Sequence, residues 1–235
     1  YWPTVQMILW GFITRYLASH SDVLTQAAGL LLSGVLLWDI LFRSQLGVSV
    51  VFFEELHSRN LGQLFISPLQ PIELILALMT VSLARTLIGV GFAVALAIPF
   101  YDFNLFALGP PLIGFFLNLL LMGWAIGLLV SALVLRHGMG AESIAWAAIF
   151  ALAPLCGIYY PVATLPGWLQ PLAWALPASH VFEGMRAVLL DHAFRLDLLL
   201  YALLLNAGYL GLGIGVFLAT VHKARERGSL LQSGE

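Results

Sequence analysis

The fold is decided by residues 53–71, FEELHSRNLGQLFISPLQP, which interrupt two long apolar runs. Within about three helical turns this stretch holds two adjacent carboxylates, an imidazole, a guanidinium and two amides, and burying such groups in hydrocarbon is costly. The stretch must therefore lie in water or at an interface. Its leucines and Phe65 fall near one side of a helix, which predicts a short amphipathic helix over residues 54–66, ended by Ser67-Pro68 and Gln70-Pro71. A short amphipathic helix between two apolar runs is more often a docking element than a spacer.

Composition places the chain among membrane proteins. Hydrophobic residues make up 61% of the 235 residues, charged residues only 9%, and the mean hydropathy is +0.96. Soluble domains are about 45–50% apolar and about 25% charged. The net charge of −2 and the scattered Lys and Arg residues argue against a nucleic-acid partner. The single cysteine, Cys156, excludes an internal disulfide.

Six apolar runs are long enough, or nearly so, to cross a membrane as helices. They predict an all-α membrane protein whose single transmembrane domain covers residues 1–235. The second run is too long for a hydrocarbon core of about 30 Å, so its helix must tilt or project. The first run starts beside Tyr1 rather than after a Met, and we expect a further segment N-terminal to it. The predicted spans are residues 2–18, 24–53, 72–100, 106–135, 141–160 and 196–221.

The stretch before the last span is apolar but rich in proline, so it cannot form one straight helix. Irregular backbone at membrane depth persists only where protein or a water-filled cavity satisfies it. Residues 160–177 are therefore expected to form a re-entrant hairpin of two short helices at the outer interface. Its characteristic residues are Tyr160, Pro161, Pro166 and the aromatic anchors Trp168 and Trp174.

The distribution of positive charge predicts the orientation, because cytoplasmic connections carry an excess of Lys and Arg. One side holds Arg59, Arg136, Lys223, Arg225 and Arg227. The other side holds only Arg186 and Arg195, together with several acidic residues. We expect the first side, including both termini and the polar helix, to be cytoplasmic.

Three charged residues lie well away from the ends of the predicted spans, in the membrane interior, where an ionisable side chain marks a functional site by default. Asp39 and Arg43 are one helical turn apart and can pair, and Arg85 lies in the next span. Two interpretations remain open: the charges line a transport pathway, or they form a structural bridge. The position of Arg85, facing a cavity or within reach of Asp39, distinguishes them.

Other motifs point to packing rather than chemistry. No phosphate-binding G-x-x-x-x-G-K-[ST] loop occurs, so this chain is not expected to bind ATP by that route. Gly211 and Gly215 have the spacing that lets membrane helices approach closely. His180 and Glu183 are too few to form a metal site and are interpreted as an interfacial polar face, so no metal is expected.

The order of these features resembles the membrane subunit of an ABC-2 type transporter, over nearly the whole chain. The acidic stretch leading to Ser67-Pro68 follows the second span. Tyr160-Pro161, Leu165-Pro166, Leu176-Pro177 and Glu183-Gly184-Met185-Arg186 precede the sixth. Each motif is loose, and the resemblance lies in their order and in the topology.

The resemblance implies a coupling helix at residues 54–66 that docks into a cleft on a separate ATP-binding cassette ATPase. ATP and Mg²⁺ would be bound by that ATPase, with no cofactor and no enzymatic activity in this chain. It further implies a permease homodimer in the bacterial inner membrane that exports an amphipathic, lipidic, glycan or drug-like substrate along the first, second and fifth spans. The coupling residues would be Glu54, Glu55, Arg59, Leu61, Leu64 and Phe65.

Two other classes compete with this interpretation. A stand-alone channel or secondary carrier predicts inverted repeats, but the two halves differ in span length and only one carries the hairpin. A membrane enzyme acting on lipids predicts clustered catalytic residues, and only His180 and Glu183 offer such a pair.

Overall fold

A computed structural model describes residue 12 and residues 22–58, 70–101, 108–138 and 142–226. Every regular element within these ranges is helical. A 3₁₀ turn, Val162–Thr164, lies between the fourth and fifth α-helices. The helices are α1 (Asp22–His57), α2 (Pro71–Tyr101), α3 (Pro111–His137), α4 (Glu142–Leu152), α5 (Gln170–Trp174), α6 (Pro177–Leu190) and α7 (Leu196–Glu226).

Four helices in the described ranges are long and apolar enough to cross a membrane, and they correspond to the second, third, fourth and sixth predicted spans. The first predicted span, residues 2–18, lies outside the described residues except for Phe12. The four segments are Gly29–His57, Pro71–Ile98, Pro111–His137 and Leu196–Glu226.

The fifth predicted span, residues 141–160, is not one continuous helix. Helix α4 ends at Leu152 and residues 153–160 form turns. Pro154 has no N–H for the next helical hydrogen bond, and Gly157 has a left-handed backbone with φ of 63°. The described 11-residue helix is about 16 Å long, roughly half the hydrocarbon thickness.

The start of the predicted polar helix belongs to α1. The backbone N–H of Ser58 donates to the carbonyl of Glu54 at 3.0 Å, so Glu54 to His57 continue the preceding helix without a break. A separate helix beginning at residue 54 is therefore wrong, because the polar residues extend α1 rather than end it. Residues 59–66 lie outside the described ranges.

Helices α1 and α3 cross closely at two glycines. An added Cβ at Gly123 would lie 2.9 Å from the backbone N of Gln45, and one at Gly127 would lie 2.9 Å from the Gln45 carbonyl oxygen. Real side chains do not tolerate such distances to backbone, so glycine is what allows this approach. Beside the crossing, the rings of Phe52 in α1 and Phe217 in α7 meet edge to face at 5.5 Å.

Buried polar side chains join the remaining helices. The Ser82 hydroxyl of α2 donates to the Ser44 carbonyl of α1 at 2.8 Å and accepts from Trp124 Nε1 of α3 at 3.1 Å. Asn206 Nδ2 of α7 donates to both the side-chain and backbone oxygens of Asn118 in α3, each at 2.9 Å. One hydroxyl thus connects three helices, and one amide connects α3 to α7.

The glycine motif of α7 does not pack as predicted. A Cβ at Gly211 or Gly215 would meet no atom within 4 Å. Gly213 makes the close contact instead, since a Cβ there would lie 3.0 Å from the Ala125 carbonyl oxygen of α3. The sequence pattern identified the correct helix but the wrong face.

Candidate functional site

A cavity of about 500 Å³ lies between α1, α2 and α4. Its wall is mainly apolar and aromatic, and it contains all three charges that the sequence placed inside spans. Its lining residues are Asp39, Phe42, Arg43, Leu46, Gly47, Val50, Arg85, Trp146 and Phe150.

Asp39 and Arg43 form the pair that their spacing predicts. Arg43 Nε donates to Asp39 Oδ2 at 2.5 Å across one turn of α1. The Arg43 guanidinium then lies directly against Gly89 of α2, where any Cβ would overlap it. The absence of a side chain at Gly89 is what lets this cation sit between the two helices.

Arg85 lies in the cavity and pairs with a residue that the sequence did not suggest. Its Nη2 donates to Glu54 Oε2 at 3.3 Å, and within the described ranges this is its ion-pair partner, rather than Asp39. Both side chains remain about half exposed, at 50% and 57%. The guanidinium therefore joins the charged cavity to the end of α1.

The end of α1 is firmly packed on one side and open on the other. Leu56 is 5% exposed and packs in a cluster with Phe52, Phe53 and Leu74. Glu54, His57 and Ser58 lie on the exposed side, where with Val50 and Phe53 they line a shallow recess. Glu54 and Glu55 thus lie on a helix end that is packed on one side, whereas Arg59, Leu61, Leu64 and Phe65 lie outside the described residues.

The proline-rich stretch forms a compact turn segment, residues 153–176, containing the Val162–Thr164 turn and the five-residue helix α5. Tyr160 Oη donates to the Pro154 carbonyl at 2.6 Å, and Gln170 Nε2 donates to the Leu165 carbonyl at 2.9 Å. Pro161 precedes the 3₁₀ turn. The carbonyl of Pro166 accepts from the Leu169 N–H at 2.8 Å, and Trp168 and Trp174 are exposed at 73% and 39%.

Helix α6 holds this turn segment through buried polar side chains. Arg186 is 8% exposed and donates to the carbonyls of Gly157 and Tyr160. Glu183 lies 3.9 Å from Arg186 and accepts from the Val162 N–H at 2.6 Å. Burial lowers the pKa of Arg186 from its usual value, and the Glu183 carboxylate opposes that shift. The helix supplies hydrogen bonds that the turns cannot make for themselves.

His180 belongs to the same arrangement. Its Nε2 donates to the Trp174 carbonyl at 2.8 Å, and its ring lies 5.0 Å from the Trp174 ring. The interpretation of His180 and Glu183 as an interfacial polar face is therefore wrong, because both side chains point into protein and bond backbone atoms.

Two residues in these networks were missed from sequence. Nothing distinguishes Ser82 from other serines in apolar helices, so no local pattern could reveal its two partners. Arg186 did carry a signal, because it follows Glu183 by three residues in a helix directly after a proline-rich stretch. In the sequence alone, Arg186 contributes only to the orientation prediction and to the motif Glu183-Gly184-Met185-Arg186, with no partner assigned to it.

Four long apolar helices, with a charged cavity between two of them, are typical of a multi-pass membrane protein. The chain belongs to the ABC-2 type transporter family, whose model matches residues 1–190. It is an ABC transporter permease, and permeases of this family generally work with an ATPase subunit. Among curated proteins, none matches this chain.

Proposed function

We propose that this permease is the membrane subunit of a bacterial ABC exporter that moves an amphipathic, lipidic, glycan or drug-like substrate. ATP would be hydrolysed by a separate ATPase that grips the segment beginning at Glu54 and Glu55 on the cytoplasmic side. Two copies of the chain would form the transport unit in the inner membrane, with both termini cytoplasmic. The turn segment would then lie on the outer side.

The observation that carries this proposal is the continuity of α1. One unbroken helix runs from Asp39 in the charged cavity to Glu54 at its end, a distance of about 22 Å. A rigid helix transmits displacement along its length, whereas a separate coupling helix on a flexible joint would lose part of it. Movement imposed by the ATPase at Glu54 would therefore reach the cavity directly.

The cavity supports a transport pathway more than a purely structural bridge. Asp39 and Arg43 neutralise each other, but Arg85 faces the same space without contacting Asp39. A structural bridge needs no cavity of about 500 Å³ beside it. An aromatic and aliphatic wall with charge at one point suits an amphipathic substrate better than a small ion.

The docking role is tested by placing a carboxylate on the predicted apolar anchor. Leu64→Asp or Phe65→Asp should abolish the stimulation of ATPase activity by the permease in a reconstituted complex, while the permease still inserts and folds. Loss of a central apolar anchor typically weakens an interface by about 2 kcal/mol or more. The measurement is ATP hydrolysis by the co-purified complex in proteoliposomes.

The matched control is Leu196→Asp, which adds the same charge at the exposed start of α7, beside Asp197. It should leave coupling unchanged. If both anchor variants couple as well as this control, the docking role of residues 54–66 is wrong. If no ATPase co-purifies with the intact chain, a stand-alone channel or carrier becomes the better interpretation.

A further inference from the structure

Arg85 connects two regions that would otherwise be separate. Its guanidinium lines the cavity beside Asp39 and Arg43, and the same group donates to Glu54 near the end of α1. The Arg85–Glu54 contact is a single hydrogen bond of 3.3 Å between two half-exposed side chains. A pair held by one hydrogen bond near the upper end of the distance range leaves both groups free to accept another partner.

The cavity itself carries an excess of positive charge. One carboxylate and two guanidiniums line it, and the carboxylate of Asp39 is already bonded by Arg43 Nε at 2.5 Å. Glu54, which balances Arg85, does not line the cavity but a recess at the end of α1. A second acceptor for Arg85 inside the cavity would therefore have to come from outside the described protein.

Unused hydrogen-bond donors in the cavity also indicate that an acceptor from outside the described protein binds there. Among the described residues, the Nη1 and Nη2 groups of Arg43 have no hydrogen-bond partner. A guanidinium in an apolar environment is strongly stabilised by oxygen acceptors, and planar anions with several oxygens match its geometry best. The neighbouring Phe42, Trp146 and Phe150 offer an apolar surface for the remainder of such a molecule.

We infer that the cavity binds an amphiphilic substrate through an anionic phosphate or carboxylate headgroup, and that Arg85 exchanges Glu54 for that headgroup when the site is loaded. This inference rests on the proposed transport function and names the charge class of its substrate. Release of Glu54 changes the charge at the end of α1, where the ATPase is proposed to dock. Occupancy of the cavity is thereby signalled to the coupling segment.

The exchange makes a prediction that a structural bridge does not. If the Arg85–Glu54 pair only holds helices together, Arg85→Gln and Glu54→Gln break the same contact and act alike. If Glu54 competes with the substrate for Arg85, the two variants act in opposite directions. Arg85→Gln should weaken binding of an anionic amphiphile about tenfold, and Glu54→Gln should strengthen it several-fold.

The experiment uses the full-length permease in phosphatidylcholine nanodiscs without an ATPase. Saturable binding of radiolabelled dodecyl phosphate is measured above that of empty nanodiscs, with dodecanol and dodecyltrimethylammonium as competitors. Dodecanol and the cationic amphiphile should displace it poorly. Arg85→Lys should keep most of the affinity, and Arg195→Gln, which alters an exposed pair with Asp197, should leave it unchanged.

Each outcome is decisive for the exchange. Parallel effects of Arg85→Gln and Glu54→Gln, equal displacement by all three amphiphiles, or no saturable binding to the intact chain would overturn it. Because binding is measured without an ATPase, the binding result does not depend on whether Leu64→Asp loses coupling to the ATPase. Opposite shifts in binding without any ATPase coupling would retain the anion site and reject the proposed transport function.

Discussion

Two regions of the molecule satisfy their backbone hydrogen-bonding groups in opposite ways: the bundle of α1, α2, α3 and α7, and the turn segment at residues 153–176. Each long helix satisfies its own backbone, so its neighbours need only approach closely, as at Gly123 and Gly127. In the turn segment, some carbonyl and N–H groups are bonded by side chains of α6 instead of by the segment's own backbone. Close contacts at glycine and a few uncharged polar side chains therefore join the helices of the bundle, whereas the charged residues Arg186 and Glu183 hold the turns.

The largest effect is expected at Arg186, the cation that holds the turns. Arg186→Leu leaves the carbonyls of Gly157 and Tyr160 without this donor and the carboxylate of Glu183 without its nearby cation. Unfolding should become easier by about 3 kcal/mol. For a chain of this size, that lowers the midpoint of thermal unfolding in detergent by about 6–12 °C. Arg195→Gln, at an exposed pair, should change it little; equal shifts would contradict the role of burial.

A smaller effect is expected at the glycine crossing of the bundle. Gly127→Ala places a Cβ 2.9 Å from the Gln45 carbonyl oxygen and should lower the free energy of unfolding by about 2 kcal/mol. Gly211→Ala meets no atom within 4 Å and should be neutral or slightly stabilising, because alanine favours the helix. The thermal unfolding midpoint should thus fall for Gly127→Ala but not for Gly211→Ala, and equal midpoints for the two variants would disprove close packing at Gly127.

The smallest effect tests backbone conformation within the turns. Gly157→Ala forces a side chain into a left-handed conformation with φ of 63°, at a cost of about 1 kcal/mol. Gly167→Ala in the same segment meets nothing within 4 Å and should stay within about 0.5 kcal/mol of the parent. Thermal unfolding of both variants in detergent measures the difference. Similar midpoints would mean that the backbone of residues 153–160 adjusts to the added side chain without cost, and the prediction would be wrong.

Long apolar runs made four helices of the fold predictable, because hydrophobic length is a property of consecutive residues. The end of α1 was not predictable in the same way. Polarity predicts that Glu54 and Glu55 leave hydrocarbon, but a helix can project into water, and only hydrogen bonding shows where it ends. Likewise, α4 ends where Pro154 and Gly157 act together on a run that hydropathy alone treats as continuous.

The same distinction applies to the candidate site: its charged residues could be predicted from the sequence, but its contacts between helices could not. Asp39, Arg43 and Arg85 were found because charges are rare in apolar runs, and the Asp39–Arg43 pair follows from one-turn spacing. The bond from Arg85 to Glu54 joins residues 31 apart on different helices, so no local spacing reveals it. The same holds for Ser82, whose partners lie on two other helices.

The crossing at Gln45 divides α1 unequally. The helix extends about 35 Å from this crossing toward Asp22 but only about 18 Å toward His57. A rod pivoting at such a point acts as an unequal lever, whose long arm sweeps about twice as far as its short arm. A push of a few ångströms at the His57 end would thus swing the far end through about double that displacement, and Asp39, about 9 Å beyond the pivot, would move about half as far as the pushed end.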